Sequence, residues 1–174
     1  MPRLIKNDRI VDDAWTRLVL TEGEAPESVA LPNASVIFPL AVWQAQRTAI
    51  LARPHEVGVW LDSHEGAETL AGDLAHLSVI AVNFPKFTDG RGYTTARLLR
   101  ERYAYRGEIR AIGDVLRDQL QNLRRCGFDA FAVREGRDLE DALRGFADFS
   151  EHYQTAVTEP QPLFRRRADA GGRA

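Results

Sequence analysis

The sequence predicts an α/β fold: about five β/α units on a mainly parallel sheet, with an N-terminal hairpin or extended segment in front. Short apolar runs alternate with segments of helical periodicity from residue 36 onward. The runs VIAVNF and EIRAIG are apolar along most of their length, as strands buried on both faces are. Cap and turn residues punctuate the boundaries between runs. Five units fit a flavodoxin-like open sheet better than a closed eight-stranded barrel, which takes about 250 residues. The alternative is a partial (β/α) barrel, completed by a second copy in a homodimer.

Each element has its own justification. Residues 3–20 hold two short apolar runs around Asn7-Asp8, a turn-forming pair, so they read as a hairpin or two extended segments. Residues 21–35, rich in Glu, Pro, Ser and Asn, read as loop, and close an N-terminal region of residues 1–35. The α/β domain spans 36–154. VIFPL (36–40) is its first strand and AVWQAQRTAILA its first helix. EVGVWL (56–61) is a buried strand; after it Ser63 caps a helix with Leu70, Leu74 and Leu77 on one face. VIAVNF (79–84) is dominated by β-branched residues and leads into the helix TTARLLRERY. EIRAIG (108–113) follows, then a helix capped by Asp114, striped by Leu116, Leu120 and Leu123 and closed by Gly127. FDAFAV (128–133) is the fifth strand, and Asp138 opens a helix carrying Leu139, Leu143 and Phe146. The tail, 155–174, reads as extended or flexible.

Composition narrows the function classes. The chain is 44% hydrophobic and 28% charged, ordinary for a globular protein, and its net charge of -2 argues against nucleic acid as a partner. Among 23 basic residues only Lys6 and Lys86 are lysines. With one cysteine, Cys126, neither an internal disulfide nor an all-cysteine metal site is possible, and no metal site is assigned. Cys126 borders a leucine stripe at a helix C-terminus, which points to an inert, buried thiol. The opening MPRLIKNDRIVDD has no apolar stretch and no run reaches membrane-span length, so a cytoplasmic protein without a membrane partner is expected.

In parallel α/β folds chemistry gathers beyond the carboxyl ends of the strands. The residues there are Asp62 and His64, then Lys86, Asp89 and Arg91, then Asp114, then Arg134 and Glu135. Asp62, Asp114 and Glu135 are the possible strand-end contributors. Capping accounts for Asp114 and for Asp62-Ser63, His64 reads as a solvated loop residue, and Arg134 and Glu135 as a surface pair. The segment from Lys86 to Gly92, KFTDGRG, is richer. Gly90 and Gly92 let backbone approach a ligand, Lys86 and Arg91 add charge, and a helix N-terminus follows. That combination suits a small oxyanion or a nucleotide phosphate. The competing reading is a turn in which Asp89 pairs with the basic residues. A dinucleotide site is not assigned, because Thr95 stands where the third glycine of that fingerprint belongs. No catalytic residue and no cofactor is identified.

The stretches FPKFTDGRGYTTARLLRERY and GEIRAIGDVLRDQLQNLRRCGFDAF resemble a proteobacterial family, a domain of unknown function. The likeness runs from about Val57 to Phe149. Members are described as oxidoreductases involved in sulfite reduction, because they accompany assimilatory sulfite reductase. The resemblance implies a role in sulfate assimilation. One form of that role is an oxidoreductase or redox-associated protein holding an oxyanion or phosphate. The other is a non-catalytic accessory docked on sulfite reductase or another enzyme of the pathway.

Overall fold

A hairpin opens the chain. β1 (Arg3–Lys6) and β2 (Arg9–Asp12) pair antiparallel, Leu4 opposite Val11 and Ile5 opposite Ile10. The turn between them puts Asn7 at φ 49° and Asp8 at φ 59°. Two consecutive left-handed residues match the twist of the flanking strands, and Asn and Asp tolerate that region best among side-chain-bearing residues. The structure, a computed structural model, describes residues 2–149 and 151–171.

The remaining elements follow in order: β3 (Thr16–Arg17), β4 (Val36–Pro39), α1 (Leu40–Leu51), β5 (Val57–Leu61), β6 (Val79–Phe84), α2 (Arg91–Glu101), β7 (Glu108–Gly113), α3 (Leu120–Arg125), β8 (Ala130–Phe131), α4 (Leu139–Arg144) and α5 (Leu163–Gly171). All eight strands join one sheet in the order β2-β1-β8-β7-β6-β5-β4-β3. From β3 to β8 every pairing is parallel, while β1 runs antiparallel to both β2 and β8.

This order corrects the flavodoxin-like expectation. A flavodoxin-like sheet reverses its strand order at a switch point and carries helices on both faces. Here β3 to β8 lie side by side in chain order, so successive crossovers of one hand bring α1, α2 and α3 to the same face. The result is a mixed, eight-stranded half-barrel.

Burial shows the asymmetry. The outer face packs Val36, Phe38, Val59, Leu61, Ile80, Val82, Phe84, Ile109 and Phe131 against Trp43 and Ile50 of α1, Ala96 and Leu99 of α2, and Leu120 and Leu123 of α3. Each such aromatic or leucine removes apolar area worth about 1.5–3 kcal/mol. The inner face is a smaller cluster of Ile37, Val79, Ala81 and Ile112, packed against Trp15, Trp60 and Ala132 and, among the described residues, against no helix residue. β6 and β7 are central, as their apolar sequences require.

Two segments depart from the expected elements. Between β5 and β6 there are only short 3₁₀ turns at Ala67–Leu70 and Leu74–His76, not a helix from Ser63. Leu70 and Leu77 are buried nonetheless, but Gly66 before them and Gly72 between them weaken helix propagation. The C-terminal tail is more structured than expected: it carries α5, and Arg166 there pairs with Glu151 at 3.0 Å. α3 does end with Gly127 just beyond its C-cap, and Asp138 does cap α4, accepting from the Glu140 amide at 2.9 Å.

Candidate functional site

The strand-end residues form linked pairs along one edge of the sheet. Beyond β5 and β6, Asn83 donates to Asp62 Oδ1 at 2.9 Å. Burial works against the Asp62 carboxylate, but that bond, the Ser63 amide and the nearby His64 and Arg91 charges bring its pKa below the usual value. Beyond β7, Asp114 accepts from the Phe87 amide at 3.0 Å and from Arg134 at 2.9 Å. Asp114 therefore ties two loops together rather than capping a helix. Arg134 pairs with Asp114, not with its neighbour Glu135.

Arg91 is engaged through its Nε and Nη2, although its side chain is 61% exposed. Its Nε and Nη2 donate to the two oxygens of Asp89 at 3.0 and 2.6 Å, and Nη2 also reaches Ser63 Oγ at 2.9 Å. The Asp89 carboxylate accepts the Arg91 backbone amide too, at 3.2 Å. These bonds hold the Asp89 pKa far below the ordinary carboxylate range and raise that of Arg91. In effect Asp89 sits where an anion bound by Arg91 and the α2 N-terminus would sit.

The two glycines of the loop have different jobs. Gly92 is buried in the first turn of α2, and a Cβ there would lie 2.7 Å from Phe84 Cζ. Gly92 thus allows α2 to press against β6. Gly90 has only Tyr93 near its missing Cβ, at 4.0 Å, and an ordinary αR backbone. Internal packing accounts for Gly92, and the space beside Gly90 is open.

At the tip of the same loop Lys86 and Phe87 face solvent, Phe87 with 44% of its surface exposed. The Phe87 backbone is nonetheless held at both ends, its amide by Asp114 and its carbonyl by Gln119 Nε2 at 3.3 Å. Asp62, Asp89 and Arg91 come together with Ser63, and Asp114 joins them through Phe87. Glu135 lies apart, on a cavity at the inner face.

Sequence reasoning missed the charges of that inner face. Arg110 of β7 is 3% exposed; its Nη1 bonds both oxygens of Asp13 at 3.0 Å, and its Nε bonds Glu108 at 2.6 Å. Lys6 of β1 reaches the other Glu108 oxygen at 2.6 Å. The signal was in EIRAIG itself: Glu108 and Arg110 are two apart on a strand, hence on one face. Cys126 is half-buried and burial pushes its thiol pKa up, as for an unreactive side chain. Among the described residues no group of three or more His, Cys, Asp or Glu side chains could hold a metal, and no helix is long and apolar enough to cross a membrane.

The fold and edge define an α/β half-barrel whose strand-end loops are cross-linked by internal ion pairs and present an exposed aromatic. The profile of a family described as "Bacterial protein of unknown function (DUF934)" matches residues 58–164, more than half of the chain, and the protein belongs to that family. None of the curated proteins matches it.

Proposed function

We propose that this protein is a non-catalytic accessory of assimilatory sulfite reduction that docks on sulfite reductase through the loop between β6 and α2. The observation that carries the docking is Phe87. An aromatic held rigid through both backbone groups, yet exposed beside a lysine, loses little entropy on association and offers a large apolar contact. The neutralisation of Arg91 by Asp89 weighs the same way, because an external oxyanion would first have to displace a carboxylate. The pathway itself rests on the sequence resemblance.

The test is recovery of partners with the tagged protein from cells starved of sulfate. Sulfite reductase should accompany the wild type, and Phe87→Ala should lower its recovery with the melting temperature unchanged. Equal recovery with the variant would overturn the docking surface. A second reading, an oxidoreductase or redox-associated protein that binds a small oxyanion, is favoured by Lys86, which is exposed and makes no ion pair among the described residues. Its mark would be a melting temperature of the wild type that rises with millimolar sulfite and falls back with added chloride.

A further inference from the structure

The inner face of the half-barrel carries a cavity of about 590 Å³, within the size range of small-ligand sites. Its floor is apolar: the half-buried Trp15 lies against Ile37 and Ile112, which are 1% and 4% exposed beneath it. Its rim is cationic. Arg3, Arg17 and Arg137 all line it, all are exposed, and none of the three makes an ion pair among the described residues. Arg134, from the loop after β8, also lines it, but its charge is answered by Asp114. The acidic side chains do not balance this rim: Asp13 is committed to Arg110, which leaves Glu135 at the edge.

We infer that this cavity binds a small organic anion, a carboxylate, sulfonate or phosphate carried on a flat apolar body. The body lies on Trp15, which is itself packed against the isoleucine cluster, and the charged group meets Arg17 and Arg137. Guanidinium forks suit such groups because they offer paired donors in a fixed plane. A second copy of the chain is the other occupant an open sheet face could take. Charge decides against it, since two facing copies would bring like rims of arginine together. The buried Asp13–Arg110 pair gives the site a firm base, since it anchors the segment that carries Trp15 and Arg17 across the sheet.

The probe is 8-anilinonaphthalene-1-sulfonate, titrated into the full chain with tryptophan excitation. The expected result is saturable binding of one probe per chain, with energy transfer from tryptophan. Arg17→Ala and Arg137→Ala should each weaken binding roughly tenfold, the effect of losing one charge-assisted hydrogen bond. Arg97→Ala, on the exposed side of α2, should leave it unchanged. Far-ultraviolet circular dichroism of each variant shows that it is folded. If a rim variant fails that check, Arg17→Lys and Arg137→Lys, which keep the charge and lose the fork, replace it and should weaken binding to a lesser degree. Equal affinity for the uncharged N-phenyl-1-naphthylamine would overturn the proposal, leaving a merely apolar face. So would a dimer by analytical ultracentrifugation that binds no probe, which would make a second copy the occupant.

Discussion

At the scale of single residues, Asp89 decides what the β6–α2 loop can do. It supplies the negative charge that Arg91 and the start of α2 would otherwise take from solution. Asp89→Ala should therefore create an anion site: sulfate is expected to raise the melting temperature of the variant and not of the wild type. Thermal melts across a sulfate series, with chloride as control, check this. The glycines of the loop should part company in urea unfolding. Gly92→Ala forces a methyl onto Phe84 and Val82 and should cost about 1–3 kcal/mol in urea unfolding. Gly90→Ala meets open space in an ordinary conformation and should be neutral or slightly stabilising. Arg110→Ala leaves Asp13 unpaired against a buried face, with an expected loss of about 3–5 kcal/mol by urea unfolding. The loop was legible as a special place in the sequence, because Lys, Asp and Arg between two glycines are conspicuous. The pairing of Asp89 with the basic residues was one of the two readings the loop allowed; that Arg91 takes it and Lys86 does not, with Ser63 joining from the loop after β5, depends on the folded backbone.

At the scale of elements, the C-terminal segment is fastened by groups that respond to pH. His152 has Gln121 Nε2 beside its Nε2 and Arg125 beside its Nδ1, each at 2.9 Å. Burial, followed by the charges of Arg125, Arg124 and Arg166, lowers its pKa from the ordinary 6.5. A histidine with a depressed folded pKa contributes stability that is present above 6.5 and lost as pH falls through the folded value. The Val157 amide, which donates to Arg125 O at 3.0 Å, should lose exchange protection below pH 6.5, after correction for intrinsic rates. His152→Gln should flatten that dependence. Local patterns served the elements unevenly. Strands β4 to β7, helices α1, α2 and α4 and the hairpin turn follow from apolar periodicity and turn chemistry. The segment after β5 does not, because its leucines have helical spacing while Gly66 and Gly72 favour turns. The tail does not either: α5 is polar in sequence and is tied by Arg166 to distant acids.

At the scale of the molecule, the strand order was the part hidden from sequence. Alternating strands and helices are common to doubly wound sheets and to barrels, since both are built from the same crossover unit. The difference shows only in how the faces are filled. In this half-barrel the inner positions mix a small apolar cluster (Ile37, Val79, Ala81, Ile112) with the Glu108–Arg110 pair, where a second helical layer would call for a continuous apolar surface. Amide exchange should rank the strands accordingly. β6 and β7 should be slowest, being paired on both sides with six aligned residues between them, and the edges β2 and β3 fastest.

The pairing of β1 with β8 sets a timetable for biosynthesis. Ile5 aligns with Phe131, so a strand near the start of the chain hydrogen-bonds to one far along it, and the ribosome releases the first long before the second exists. Until then the hairpin has a formed turn but no sheet to join, and Ile5, fully buried in the finished protein, remains in water. Closure of that edge carries a long loop and should be the slow, final event of folding. A nascent chain arrested before residue 128 should leave a probe on Ile5 accessible, and extension past residue 131 and clear of the exit tunnel should protect it.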